Sequence, residues 1–169
     1  MAFAKDRHRP PGNWVIFSPM IELVVWRDIH DATSTFADLA QRAEKKGWPY
    51  GLELCPEPAN PFDPNAVAVY GVSTYKGLFG PKRINREKIG YLPREHAALV
   101  VRELVQPGKA FGVELYSVYR TKNGYVNVKL LVLGPPGMSE KARRNKRLAE
   151  EKALTAKHAS DNDATLSQV

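Results

Sequence analysis

The residue types best suited to chemistry fall in one stretch. In Leu52-Glu53-Leu54-Cys55-Pro56-Glu57-Pro58-Ala59-Asn60-Pro61-Phe62-Asp63-Pro64-Asn65-Ala66-Val67-Ala68-Val69, carboxylates, amides and one aromatic ring lie between two apolar runs. A carboxylate there can accept hydrogen bonds, move a proton or help hold a cation. The Phe62 ring offers a face on which a planar group can stack. A second reading is architectural: Asn, Asp and Pro are turn formers whose side chains satisfy local backbone groups. A metal-dependent nuclease would need a carboxylate cluster, and Glu57 with Asp63 is a thin basis for one.

Further candidates lie outside that loop. Tyr91 follows Gly90, and a glycine in a strand lets another backbone or a ligand approach closely. Arg94 falls in the first turn of an expected helix, where it can meet a phosphate or simply be solvated. Tyr125, after a hairpin turn, can stack on a base or pack across strands. Between 72 and 87, Lys76, Lys82, Arg83 and Arg86 interleave with Tyr75 and Phe79, a mixture suited to single-stranded nucleic acid and also to plain solubility. Lys141, Arg143, Arg144, Lys146 and Arg147 make a dense basic run, either a phosphate-contacting segment or a solvated helix face.

Other chemistries find little support. His8, His30, His96 and His158 are scattered, and Cys55 is the single cysteine, so no metal-ligand spacing appears and no internal disulfide can form. His30, Asp28 and Asp31 are neighbours in sequence, which is weak ground for an acid–base site. Phosphate-loop, Rossmann and nucleophile-elbow motifs are missing. The expectation is a binding protein with no cofactor, no metal and no catalysed reaction.

These residues need elements to hold them. Ile21–Trp26, Tyr50–Leu54, Ala66–Tyr70, Lys88–Leu92, Val113–Val118 and Tyr125–Leu133 read as six strands. Phe36, Leu39, Ala40 and Ala43 share a helical face that opens near Thr35 and stops at Gly47. Pro93 starts a second helix, with Ala97, Val100, Val101 and Leu104 on one side and Gly108 at its end. Residues 72–87 read as a long loop, and Asn123-Gly124 as a type I′ hairpin turn. The fold class is therefore mostly β with two helices, as a small OB-like or SH3-like β-barrel of about six strands. Residues 1–13 read as a flexible basic arm, 14–134 as the barrel domain, and 135–169 as a Pro/Gly linker, a basic helical tail to about Ala159 and a disordered end.

Charge and composition set the partners. The net charge is +7, which favours a polyanion. Residues 1–137 carry 18 Lys or Arg against 13 Asp or Glu, so the excess belongs mainly to the globular part. No run approaches the roughly 18 apolar residues of a membrane helix, and no secretory signal opens the chain, so a cytoplasmic protein is expected.

The 52–69 stretch resembles the signature of the HIRAN domain, a strand followed by Glu-Pro-x-Asn-Pro-Tyr-Asp-x-Asn-Ala and a second strand. Lys88-Ile89-Gly90-Tyr91-Leu92-Pro93-Arg94 is similar to the family's second block. The resemblance runs from about Ile21 to Gly134. It implies an OB-like barrel that grips the 3′ end of single-stranded DNA. Such domains occur fused to Swi/Snf-type helicases of DNA repair and alone in bacteria and phages, so a helicase or nuclease is an implied partner. Phe62, tyrosine in most members, would pack against the terminal nucleotide. Asp63 would accept a hydrogen bond from the 3′-hydroxyl and reject a phosphate there. Tyr91 and Arg94 would lie near the strand. The family's short aromatic and basic loop after the first strand is replaced here by Arg27–Trp48, where Arg27 is the residue able to supply the missing contact. A protein-interaction module without end-specific DNA binding is the alternative.

Overall fold

In the computed structural model, residues 2–3 and 9–166 are described, with side chains over 9–157. Residues 4–8 of the expected arm and 167–169 of the expected disordered end lie outside the described residues.

Seven antiparallel strands form two sheets. The first has the order β1 (Ala2–Phe3), β6 (Gly112–Arg120), β7 (Val126–Gly134), β2 (Val15–Glu22). The second has the order β3 (Tyr50–Pro56), β4 (Val67–Tyr75), β5 (Arg83–Tyr91). Past β2 the chain continues to Val24, which exchanges two 3.0 Å backbone hydrogen bonds with Tyr91. That bridge joins the sheets on one side. On the other, β3 lies beside β6 without a ladder, so the expected barrel is not closed. A cleft of about 490 Å³ marks this seam, roofed by Arg9, Pro10 and Trp14. Arg9 pairs there with the buried Glu114, and Ala2–Phe3 pair with β6, so the described parts of the expected arm are docked.

Three α-helices replace the expected two plus tail: α1 (His30–Lys46), α2 (Arg94–Val100), which continues as a π turn over Val101–Val105, and α3 (Glu140–Leu166). A 3-10 turn at Arg27–Ile29 precedes α1. The first helix begins five residues before Thr35, and the buried Thr33 hydroxyl bonds the Ile29 and Ile89 carbonyls. It ends as expected at Gly47, in the left-handed conformation (φ 63°), with Trp48 N–H closing on the Ala43 carbonyl. Its buried face of Phe36, Ala37, Ala40 and Ala43 covers β4 and β5. A β-carbon at Gly71 on β4 would overlap the Phe36 ring, so glycine is what seats this helix.

Three strand limits differ from expectation for identifiable reasons. The first long strand lies earlier, because the ladder to β7 tolerates Pro19 through register shifts around Ser18. The expected loop at 72–87 is mostly ladder: Val72, Ser73, Thr74 and Tyr75 pair with Arg86, Asn85, Ile84 and Arg83, leaving a short tip between them. The β6–β7 turn spans Thr121–Gly124, closed by Gly124 N–H on the Thr121 carbonyl, so Asn123-Gly124 is not at the centre of a two-residue turn.

The tail is tied down. Arg143 donates to the Phe17 carbonyl (2.6 Å) and to Glu103 (3.1 Å), and its guanidinium lies 4.1 Å from the Phe17 ring centroid. Among the described residues, no helix is long and apolar enough to cross a membrane.

Candidate nucleic-acid interface

The β3–β4 connection is built on its own side chains. Asn60 Oδ1 accepts from the backbone N–H of Phe62 (3.0 Å) and of Asp63 (3.3 Å), and Asn60 Nδ2 donates to Glu57 (2.9 Å). Asp63 Oδ1 accepts from Asn65 N–H at 2.9 Å. These bonds hold the Pro-rich chain open at one end of the second sheet, and they leave the Phe62 ring 89% exposed with no packing role. The architectural reading therefore holds for Asn60 and, in part, for Asp63. It does not hold for Phe62.

Asp63 also meets α2. Arg94 Nε donates to Asp63 Oδ2 at 3.1 Å. The Asn65 amide and then the Arg94 guanidinium hold the Asp63 carboxyl below its ordinary value, so it is ionised at neutral pH. Each oxygen spends one acceptor site on these partners and keeps another. The Asp63 side chain is 21% exposed and that of Arg94 79%, so the pair reaches solvent with its charges cancelled. Terminal guanidinium N–H groups remain for a phosphate. On the far side of the same helical turn, His96 bonds the buried Ser18 of β2 (2.9 Å), which fixes α2 against the first sheet.

Tyr91 joins a second network. Lys88 Nζ donates to Glu57 (2.7 Å) and lies 2.8 Å from the Tyr91 hydroxyl, which donates to Glu57 at 3.1 Å. Burial raises the Glu57 carboxyl. Hydrogen bonds from Lys88, Asn60 and Tyr91 outweigh it, and the group sits below its ordinary value. Glu57, and then Tyr91, raise the Lys88 ammonium. Glu57 is thus a structural anion that orients Lys88 and Tyr91. Among the described residues, no group of three or more His, Cys, Asp and Glu could hold a metal ion.

The outward face of the second sheet carries the site away from the loop. Register places Glu53, Tyr70 and Lys88 in one row and Val72 with Arg86 in the next. Arg86 donates to Glu53 at 2.6 Å and stacks 3.9 Å over the Tyr70 ring, and Glu53 raises its already high basicity. Arg86 and Lys88 are both neutralised by carboxylates, so this face is less basic than the sequence implies.

The remaining sequence candidates divide into two groups. Arg27 lies in the exposed 3-10 turn that follows the Val24–Tyr91 bridge. Tyr125 meets His30, at the start of α1, edge to face with centroids 5.2 Å apart. Thr33 fastens that end of α1 to the Ile89 carbonyl of β5. Lys82 and Arg83 sit at the opposite end, with Lys82 5.1 Å over the Trp48 ring. Sequence reasoning missed Trp26, 61% exposed two residues beyond Val24. The sequence carried no signal for it, since the contact that places this segment is long-range: a β-carbon at Gly90 would lie 2.8 Å from the Val24 carbonyl. The seam cleft at Arg9 and Trp14 shares none of these residues except Glu53.

Fold and site together define a small two-sheet β domain that presents an aromatic loop, a neutralised acid and exposed arginines at one sheet end. The chain belongs to the HIRAN domain family, whose model matches residues 41–134, more than half its length. That family binds DNA, and both signature blocks fall inside the match. No curated protein and no solved structure matches the chain.

Proposed function

We propose that this protein binds single-stranded DNA at its 3′-hydroxyl end, catalyses no reaction, and serves DNA repair, replication or phage DNA metabolism in the cytoplasm. The observation that carries the reading is the Asp63–Arg94 pair beside Phe62. A carboxylate is a poor neighbour for phosphate unless a cation cancels it, and Arg94 does so while keeping N–H groups for the backbone of the strand. The spare acceptor sites of Asp63 suit a terminal hydroxyl, and the exposed Phe62 ring suits the last base.

Fluorescence anisotropy with matched oligonucleotides tests this. The 3′-hydroxyl strand should bind at least about tenfold more tightly than the 3′-phosphate strand. Asp63→Ala should lose most of that ratio by weakening the first and easing the second. Loop damage alone would weaken both together. Circular strands that bind as well as linear ones would end the case for end recognition.

A second reading, recruitment of a helicase or nuclease, draws support from α3, whose Leu148 and Leu154 are exposed. Capture of such a partner that persists in high salt would favour it.

A further inference from the structure

The tip between β4 and β5 has no role in the site above, yet it carries the most exposed apolar side chains among the described residues apart from Phe62. Leu78 is 89% exposed and Phe79 88%, and Ile84 projects just behind them. Gly77, Gly80 (φ 115°) and Pro81 give the tip its tight course. Lys76, Lys82 and Arg83 flank it, and Lys82 leans on Trp48. Neither Lys76 nor Arg83 pairs with an acid among the described residues. Two bulky apolar groups flanked along the chain by cations do not suit a protein interior or a purely apolar partner. They suit a polyanion with apolar planes inside it. Side chains such as Phe and Leu wedge between base steps in just that way.

Position adds a second argument. The tip and the Asp63 loop lie at opposite ends of β4, so about 26 Å of strand separates them at ~3.3 Å per residue. Ile84, Arg86 and Lys88 alternate along β5 on one face and mark a track between the two ends, along which Arg86 and Lys88 are each paired with a carboxylate. A stacked strand rises about 3.4 Å per nucleotide, so the track holds at most about eight nucleotides, and fewer when the strand is extended.

We propose that Leu78 and Phe79 form a wedge that abuts the first base pair of a duplex, so that the DNA this protein takes is a duplex bearing a short 3′ single strand. The proposal rests on the 3′-end reading above, and it adds the substrate class and the place where single strand gives way to duplex.

The test compares duplexes with 3′-hydroxyl overhangs of about 2 to 12 nucleotides with the same overhangs as free strands. A 2-aminopurine in the first base pair reports unstacking. The wild-type protein should prefer the junction by at least about fivefold, with a maximum at overhangs of about 4 to 8, and should raise the 2-aminopurine signal. The Leu78→Ser/Phe79→Ser variant, checked for an unchanged melting temperature, should keep the preference of free strands for a 3′-hydroxyl over a 3′-phosphate and lose both junction effects. If wild type binds free 3′ ends but gains nothing from the duplex, or if the variant keeps the gain, the wedge is wrong and the 3′-end function stands. If wild type ignores 3′ ends altogether, both fall, and that pattern differs from the first. If the tip instead drives sedimentation with phosphatidylserine vesicles and the junction adds nothing, it is a membrane contact and the proposal is overturned.

Discussion

Asp63 is a carboxylate placed where phosphates are expected, and its neighbours make that workable. Asn65 and Arg94 hold its carboxyl below the ordinary range, so it keeps its charge throughout about pH 5 to 8. A depressed carboxyl loses its charge only below that window. A terminal phosphate, in contrast, gains its second charge near a pKa of about 6. Affinity for a 3′-hydroxyl strand should therefore stay flat between about pH 8 and 5.5, while discrimination against a 3′-phosphate strand narrows as pH falls through about 6. Anisotropy titrations across that range check this; a hydroxyl-end affinity that drops over the same interval would mean some other group is the acceptor. The loop's shape was legible in the sequence, because Asn-Pro-Phe-Asp-Pro-Asn builds its bonds locally, while Tyr91 and Arg94, two strands further on, were pointed to by the family's second block. What could not be read was long-range pairing. Nothing in the order of residues says that Glu57 would neutralise Lys88 or that Glu53 would neutralise Arg86, each more than thirty positions away.

At the level of elements, α1 is held by one close fit. Gly71 leaves room on β4 for the fully buried Phe36 ring. Gly71→Ala should cost about 1–3 kcal/mol of stability by overpacking, measured by chemical denaturation. Pairing it with Phe36→Leu should recover part of the loss, since the two positions are in contact. An unperturbed single variant would show that the helix can shift without cost. The helix was visible in sequence through its alanine face and Gly47, but its start was not, because no side chain caps it: Thr33 acts through the Ile89 carbonyl of a distant strand. The long β4–β5 ladder was hidden for a related reason. Its outer half pairs Val72–Tyr75 with the polar Arg83, Asn85 and Arg86, and the Gly77, Gly80 and Pro81 of the tip between them read as loop; only the register between the two strands makes it sheet. The missing closure of the barrel is likewise a matter of which edges meet, which alternation cannot reveal.

Across the whole molecule, the Pro/Gly linker does not release the tail. Arg143, with 12% of its side chain exposed, sits between Phe17 and Glu103, and Met138 packs on the core. Burial raises the Glu103 carboxyl, but Arg102 and Arg143 bring it below its ordinary value, so the pair is charged. Arg143→Ala should therefore lower stability by about 1–3 kcal/mol, or about 2–4 °C in melting temperature per kcal/mol. Truncation after Gly137 should do the same. Calorimetry decides; an unchanged transition in both would show the contact to be decorative. The same geometry takes Arg143 out of the basic run and leaves Lys141, Arg144 and Arg147 for solvent or phosphate, with Lys146 3.8 Å from Glu150. The seam on the opposite flank has a different significance. A strand paired on one side only, as β3 is, offers its free amides and carbonyls to any other extended chain, and proteins survive this by blunting such edges. Here Arg9, Pro10 and Trp14 lie across the gap, and Pro10 packs 3.3 Å from where a Gly112 side chain would begin. Residues 9–14 thus cover the line along which another extended chain would otherwise add to β3.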